Sequence, residues 1–116
     1  RIVGIEFGGG AVSVNAVTVA RIHANHALHH PGGPEGQWIT DSSAARQARA
    51  EILLGQNTTP LAICHDRQGP HPIFRADPAD PDEANTLATL IATLRAGTVD
   101  WAIHDGAAVP VHRGYW

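Results

Sequence analysis

The stretch that most constrains this chain is DPDEANTLATLIATLRAGTVDWAIHDGAAVPVHR, residues 80–113. Asp80 stands where an N-cap would, and Pro81 sits at the first helical position, where its missing N–H costs nothing. Glu83 completes a capping box. Ala84, Leu87, Ala88, Ile91 and Leu94 then recur on one helical stripe, with Arg95 at the negative end of the dipole and Gly97 just beyond. The pattern predicts an amphipathic helix followed by a hairpin. Val99, Trp101 and Ile103 share one face of the first strand, and Val109 and Val111 one face of its return. A two-residue Asp105-Gly106 turn would set those faces at odds. Parity therefore predicts an odd loop at 105–107, pairing Ile103 with Val109, Trp101 with Val111 and Asp100 with His112.

A fainter copy precedes it at 41–75. Asp41 is a candidate N-cap, and 42–54 reads as a helix with Ala45, Ala48 and Ile52 inward, Arg46 and Glu51 outward, and Gly55 as its cap. PLAICHD (60–66) reads as a short strand, RQGP as a turn and 72–75 as the return. His65-Asp66 matches His104-Asp105, and Pro72-Ile73-Phe74-Arg75 matches Pro110-Val111-His112-Arg113, which suggests an internal αββ duplication.

The chain opens with IVGIEF, where Val3, Ile5 and Phe7 alternate with Ile2, Gly4 and Glu6. A loop at 8–11, rich in glycine, pairs Phe7 with Val12 and Ile5 with Val14, a β-hairpin. β-Branched residues carry its second strand to about Ile22, before a short helical or irregular piece and the PGGPEG loop at 31–36. The sum is one α+β domain over residues 1–116, in the order ββ-α-ββ-α-ββ, with two helices on one face of a mostly antiparallel sheet.

At 116 residues the chain can bury a core without metal or disulfide support. Its lone Cys64 excludes an internal disulfide. The eight basic residues are all Arg and lie scattered among eleven acids, which gives no footprint for nucleic acid. No apolar run approaches the ~20 residues of a membrane span, so the chain reads as soluble, with the cytoplasm favoured. It begins at Arg1 and holds no Met, the expectation for a trimmed product or a piece of something longer.

Chemistry is sparse. His23, His26 and His30 would share a face if their run were helical, the spacing of a site for a divalent transition metal such as zinc. No HExxH accompanies them and no carboxylate lies in the run, so the simpler reading is a solvent-facing polar stretch. His65, His104 and Asp105 are candidates for acid–base work. Adjacent strand residues point to opposite faces, however, and Asp is favoured at turns, so Asp66 and Asp105 read as turn residues. Cys64 would need a base such as His104 to act as a nucleophile, and within PLAIC it reads as a small core residue. Trp38, Tyr115 and Trp116 lack a core assignment, as interface aromatics do.

These features predict a non-catalytic domain that binds protein, either its own copies or a separate partner, without a cofactor. The rival is a small metal-dependent or acid–base enzyme using His23, His26, His30, His65 and His104. A third reading is a small-ligand pocket lined by Trp101, Ile103 and Leu87.

Overall fold

The computed structural model describes residues 2–30, 32–76 and 85–116. The chain divides into two compact units, Arg1–Asn57 and Thr58–Trp116.

In the first unit, β1 (Ile2–Gly8) and β2 (Ala11–Val17) form the expected antiparallel hairpin, with Phe7 opposite Val12 and Ile5 opposite Val14. Gly9 and Gly10 both have positive φ, 52° and 81°, which lets two residues reverse a twisted strand pair. The strand stops at Val17, short of the predicted Ile22, and residues 18–30 run without helix or strand. The reason is chemical: the backbone N–H groups of Ala24, Asn25, Ala27, Leu28 and His29 bond to side chains instead of to a neighbouring strand.

Helix α1 (Asp41–Gly55) follows. Its N-cap is Thr40 and not Asp41, because the Thr40 hydroxyl accepts the Ser43 N–H at 3.1 Å. The predicted inward stripe is also rotated. Ser42, Ser43, Gln47, Ala50 and Leu53 are buried, whereas Ala48 and Ile52 are exposed. Ser43 and Gln47 turn inward because they bond the irregular loop, and that polar pairing outweighs an alanine stripe.

In the second unit, residues 60–64 are helical and not a strand. Pro60 opens α2 (Pro60–Cys64), and the Thr59 hydroxyl caps it by accepting the Ala62 N–H. The predicted return at 72–75 is not a strand. The Asp66 carbonyl accepts the Phe74 N–H at 2.8 Å and closes an irregular loop between them.

Three strands then form an antiparallel sheet: β3 (Thr89–Arg95), β4 (Thr98–His104) and β5 (His112–Tyr115). β3 lies within the predicted second helix. Residues 89–95 carry a helical stripe, but they also alternate, with Thr89, Ile91 and Thr93 on one side and Leu90, Ala92 and Leu94 on the other. Pairing with β4 selects the second period. Gly97, at φ 80°, turns this hairpin and is not a helix cap. The predicted capping residues Asp80, Pro81 and Glu83, and Ala84 at the start of the predicted stripe, lie outside the described residues.

The final hairpin also departs from the odd-loop register. Ile103 pairs with His112, Ala102 with Arg113, Trp101 with Gly114 and Asp100 with Tyr115. The Trp101 indole covers Gly114 so closely that a Cβ there would lie 2.6 Å from the ring. Val111 opposite Trp101 would put a branched side chain in that space.

The α+β class stands, with α2 packed on β3. Among the described residues the strands form two sheets and not one, both helices precede β3, and no αββ repeat is seen. No helix among the described residues is long and apolar enough to cross a membrane.

Candidate functional site

The irregular segment 22–30 is the most tightly specified part of the first unit. Glu6 on β1 is buried at 8 % exposure and stands on the face of the hairpin opposite Val3, Ile5 and Phe7. Its Oε1 accepts the Leu28 N–H at 2.8 Å and bonds His23 Nε2 at 2.7 Å, and its Oε2 accepts the His29 N–H. From α1, Gln47 accepts the Ala24 N–H at 2.7 Å and donates to the Ile22 carbonyl at 3.1 Å. Ser43 Oγ accepts the Asn25 N–H at 3.2 Å and bonds His26 Nδ1 at 2.8 Å. Gln37 grips Ala27 at both its N–H and its carbonyl. Four side chains thus satisfy groups that a strand or helix would satisfy internally.

Electrostatics reinforce the geometry. Burial works against the Glu6 charge, but the Leu28 N–H, the His23 ring and the His29 N–H outweigh it and lower its pKa to about 2. The hydrogen bond to Glu6, then that to the Ala24 carbonyl, raise His23 above its ordinary value. Glu6 and His23 therefore form a charged pair in mildly acidic solution.

Asn25 stands where this loop is exposed. Arg46 Nη1 lies 3.2 Å from Asn25 Oδ1. Arginine can only donate, so this contact fixes the amide orientation: Oδ1 faces the guanidinium and the NH₂ faces away. With its backbone N–H on Ser43 and its oxygen on Arg46, Asn25 presents an aimed amide donor.

Beside the loop lies a cavity of about 690 Å³, lined in part by Val17, Ala20, Arg21, Ile22, Glu51 and Leu54. That volume lies within the range of small-molecule sites.

The histidines of the predicted metal trio each go elsewhere. His23 bonds Glu6, His26 bonds Ser43, and His30 Nε2 bonds the Gly8 carbonyl at 2.8 Å. Among the described residues no three His, Cys, Asp or Glu side chains gather as a metal site would require.

In the second unit, His65 and His104 do come together, with ring centroids 5.8 Å apart in an edge-to-face arrangement. Phe74 meets His65 at 5.4 Å, and Arg67 lies 4.1 Å over the Phe74 ring. His104 is buried and its Nδ1 reaches the Ala107 carbonyl, while His65 Nε2 is buried without a partner. Burial, then electrostatic interaction with His104 and Arg67, lowers the pKa of His65 against the opposing pull of Asp105. Asp105 Oδ1 accepts the Ala107 N–H, a turn interaction. Burial pushes the Cys64 thiol up, the opposite of what activates a nucleophile. Trp38, Tyr115 and Trp116 are exposed, and Trp116 lies 5.7 Å from Trp101.

Sequence reasoning missed Glu6, Asn25, Gln37, Ser43 and Gln47. One signal was available: a carboxylate inside a strand of Val, Ile and Phe needs a partner when buried. The amides and hydroxyls carried none, since their partners are backbone groups of a loop that follows no period.

In this α+β chain a buried carboxylate and two amides hydrogen-bond one loop along its backbone. The chain belongs to the family described as acyl-coenzyme A:6-aminopenicillanic acid acyl-transferase, whose model matches residues 1–108. No curated protein and no solved structure matches it.

Proposed function

We propose that this chain serves an acyltransferase that moves an acyl group from a thioester to an amine, and that Asn25 stabilises the carbonyl oxygen during transfer. In that reaction the amine nitrogen attacks the thioester carbon and forms the C–N bond. The oxygen carries negative charge in the tetrahedral species, the C–S bond then breaks, and the amine proton passes to solvent as the thiolate leaves. An amide N–H held in place before charge develops lowers that barrier. Family membership supports the reaction class, and the observation that carries the residue assignment is the double anchoring of Asn25 by Ser43 and Arg46. The test is release of free thiol from short- and medium-chain acyl-coenzyme A in the presence of an amine acceptor. Amide product formed with the wild-type protein and lost in Asn25→Leu supports the reading; no product with any donor counts against it.

A second reading, protein binding or self-association, is favoured by one surface. On the β1–β2 hairpin Val3, Ile5, Phe7, Val12 and Val14 form an exposed, uncharged face, with Phe7 at 80 % exposure. Light scattering tests it: a concentration-dependent mass that Phe7→Lys abolishes supports self-association, and a strict monomer that captures no partner opposes it.

A further inference from the structure

We propose that the second unit carries an acid-sensitive latch: neutral His65 and His104, packed edge to face, hold the 66–74 loop on the 104–107 turn, and protonation of His65 releases that loop and uncovers Phe74. The latch is built around one ring. His65 caps the C-terminus of α2, where its backbone N–H bonds the Leu61 and Ile63 carbonyls. The chain therefore cannot carry the imidazole away while the helix stays formed. The ring meets Phe74 at 5.4 Å and His104 at 5.8 Å, both edge to face, and its Nε2 is buried with no hydrogen-bond partner. A neutral imidazole tolerates this by keeping its proton on Nδ1 and leaving only a lone pair inside. An imidazolium has an N–H on both nitrogens, so the buried one would lack an acceptor, which costs far more.

The groups around the ring oppose a charge more than they favour it. His104 Nδ1 faces the Ala107 carbonyl at 3.1 Å, and a carbonyl only accepts, so Nδ1 donates and the ring needs no charge to make this bond. Arg67 lies 4.1 Å over the Phe74 ring, a fixed cation already beside the cluster. Asp105 favours a charge on His65, but its carboxylate is turned to the Ala107 N–H of its own turn. Asp66 accepts the Gln68 N–H, and burial keeps the neighbouring Cys64 thiol neutral. Burial, His104 and Arg67 together outweigh Asp105 and hold His65 below its ordinary value of 6.5. The unfolded chain takes this proton near pH 6.5 and the folded chain only below it. The stabilisation is therefore full above pH 6.5 and is lost as pH falls through the folded value. Phe74 is what a release uncovers. It is buried, its N–H is held by the Asp66 carbonyl at 2.8 Å, and its ring presses on Gly106, where a Cβ would lie 2.5 Å from Cζ. His71, on the same loop, also has a buried nitrogen without a partner and is the rival trigger.

Hydrogen exchange at the Phe74 amide of the full chain, corrected for the intrinsic pH dependence of exchange, tests the latch independently of the acyl-transfer reading. Protection should fall by about fivefold or more between about pH 7.5 and about pH 5, with the far-ultraviolet circular dichroism of the fold retained. His65→Phe keeps an aromatic ring against Phe74 but cannot titrate, and its Phe74 protection should be flat over the same range. His71→Asn should keep the wild-type fall. In the wild type, the His65 ring followed by nuclear magnetic resonance should titrate below pH 6.5, a readout that decides even where His65→Phe does not fold. Constant Phe74 protection in the wild type overturns the proposal. So does an undiminished fall in His65→Phe, a fall abolished by His71→Asn alone, or titration of His65 at or above pH 6.5.

Discussion

Glu6 Oε1 accepts the backbone N–H of Leu28 at 2.8 Å, across 22 positions of sequence. With His29 and His23 on the same carboxylate, this one side chain ties the opening hairpin to the irregular loop. Glu6→Gln keeps the shape but replaces one acceptor oxygen with a donor, which must then face an N–H. Hydrogen exchange at the Leu28 and His29 amides should accelerate by about tenfold or more in Glu6→Gln, with the second unit unchanged. Unaltered protection would mean the loop holds itself.

The same pair sets a pH window. Glu6 is depressed from 4.5 to about 2, so its contribution is present above pH 4.5 and is lost as pH falls through the folded value. His23 is raised above 6.5, so its contribution is full below pH 6.5 and is lost as pH rises through the folded value. Loop protection should therefore peak between pH 4.5 and 6.5. His23→Gln should flatten the alkaline side while keeping the acid side, as measured by exchange across a pH series. A profile in which both sides persist unchanged would exclude His23 as the source.

The second unit has its own tight point. At Gly106, φ is 100°, and a Cβ would lie 2.5 Å from Phe74 Cζ and 3.0 Å from Arg67 Nη2. Phe74 is buried and cannot withdraw. Gly106→Ala should destabilise this unit by about 2–4 kcal/mol in denaturant unfolding. Gly33→Ala, at positive φ but in open space, should cost about 1–2 kcal/mol. Equal effects would show that backbone strain alone decides.

The two hydroxyl caps allow a simpler check. Thr40→Ala and Thr59→Ala each remove a side-chain acceptor from a helix N-terminus and should each cost about 1 kcal/mol by unfolding. Asp41→Ala, one residue inside α1, should cost less, since Asp41 is not the cap.

How much of this was legible depends on which interactions decide each segment. The first hairpin could be read because its period and its glycines agree, and α1 because its length leaves no rival. Residues 89–95 misled because helical and alternating periods coexist there, and the choice falls to pairing with β4, a contact remote in sequence. Pro60 and Thr59 did carry a helix signal at 59–64, which the apolar run PLAIC obscured. The loop was opaque for another reason: its partners Gln37, Ser43 and Gln47 are ordinary residues whose importance exists only once the chain has folded onto them. His65 and His104 were named from their matching His-Asp pairs. The structure places the two rings together, although the described residues do not show the repeat that suggested them.

The central claim is that Asn25, oriented by Arg46 and Ser43, stabilises the carbonyl oxygen in acyl transfer. The direct measurement is the turnover of an acyl-coenzyme A with an amine acceptor by wild type, Asn25→Asp and Asn25→Leu, with loop integrity checked by exchange at Leu28. Both variants should lose about 10²–10³-fold in kcat with little change in KM, because the donor acts on charge that develops only in the transition state. Wild-type kcat in Asn25→Asp, which keeps the shape and the Arg46 contact but lacks the N–H donor, would contradict the account.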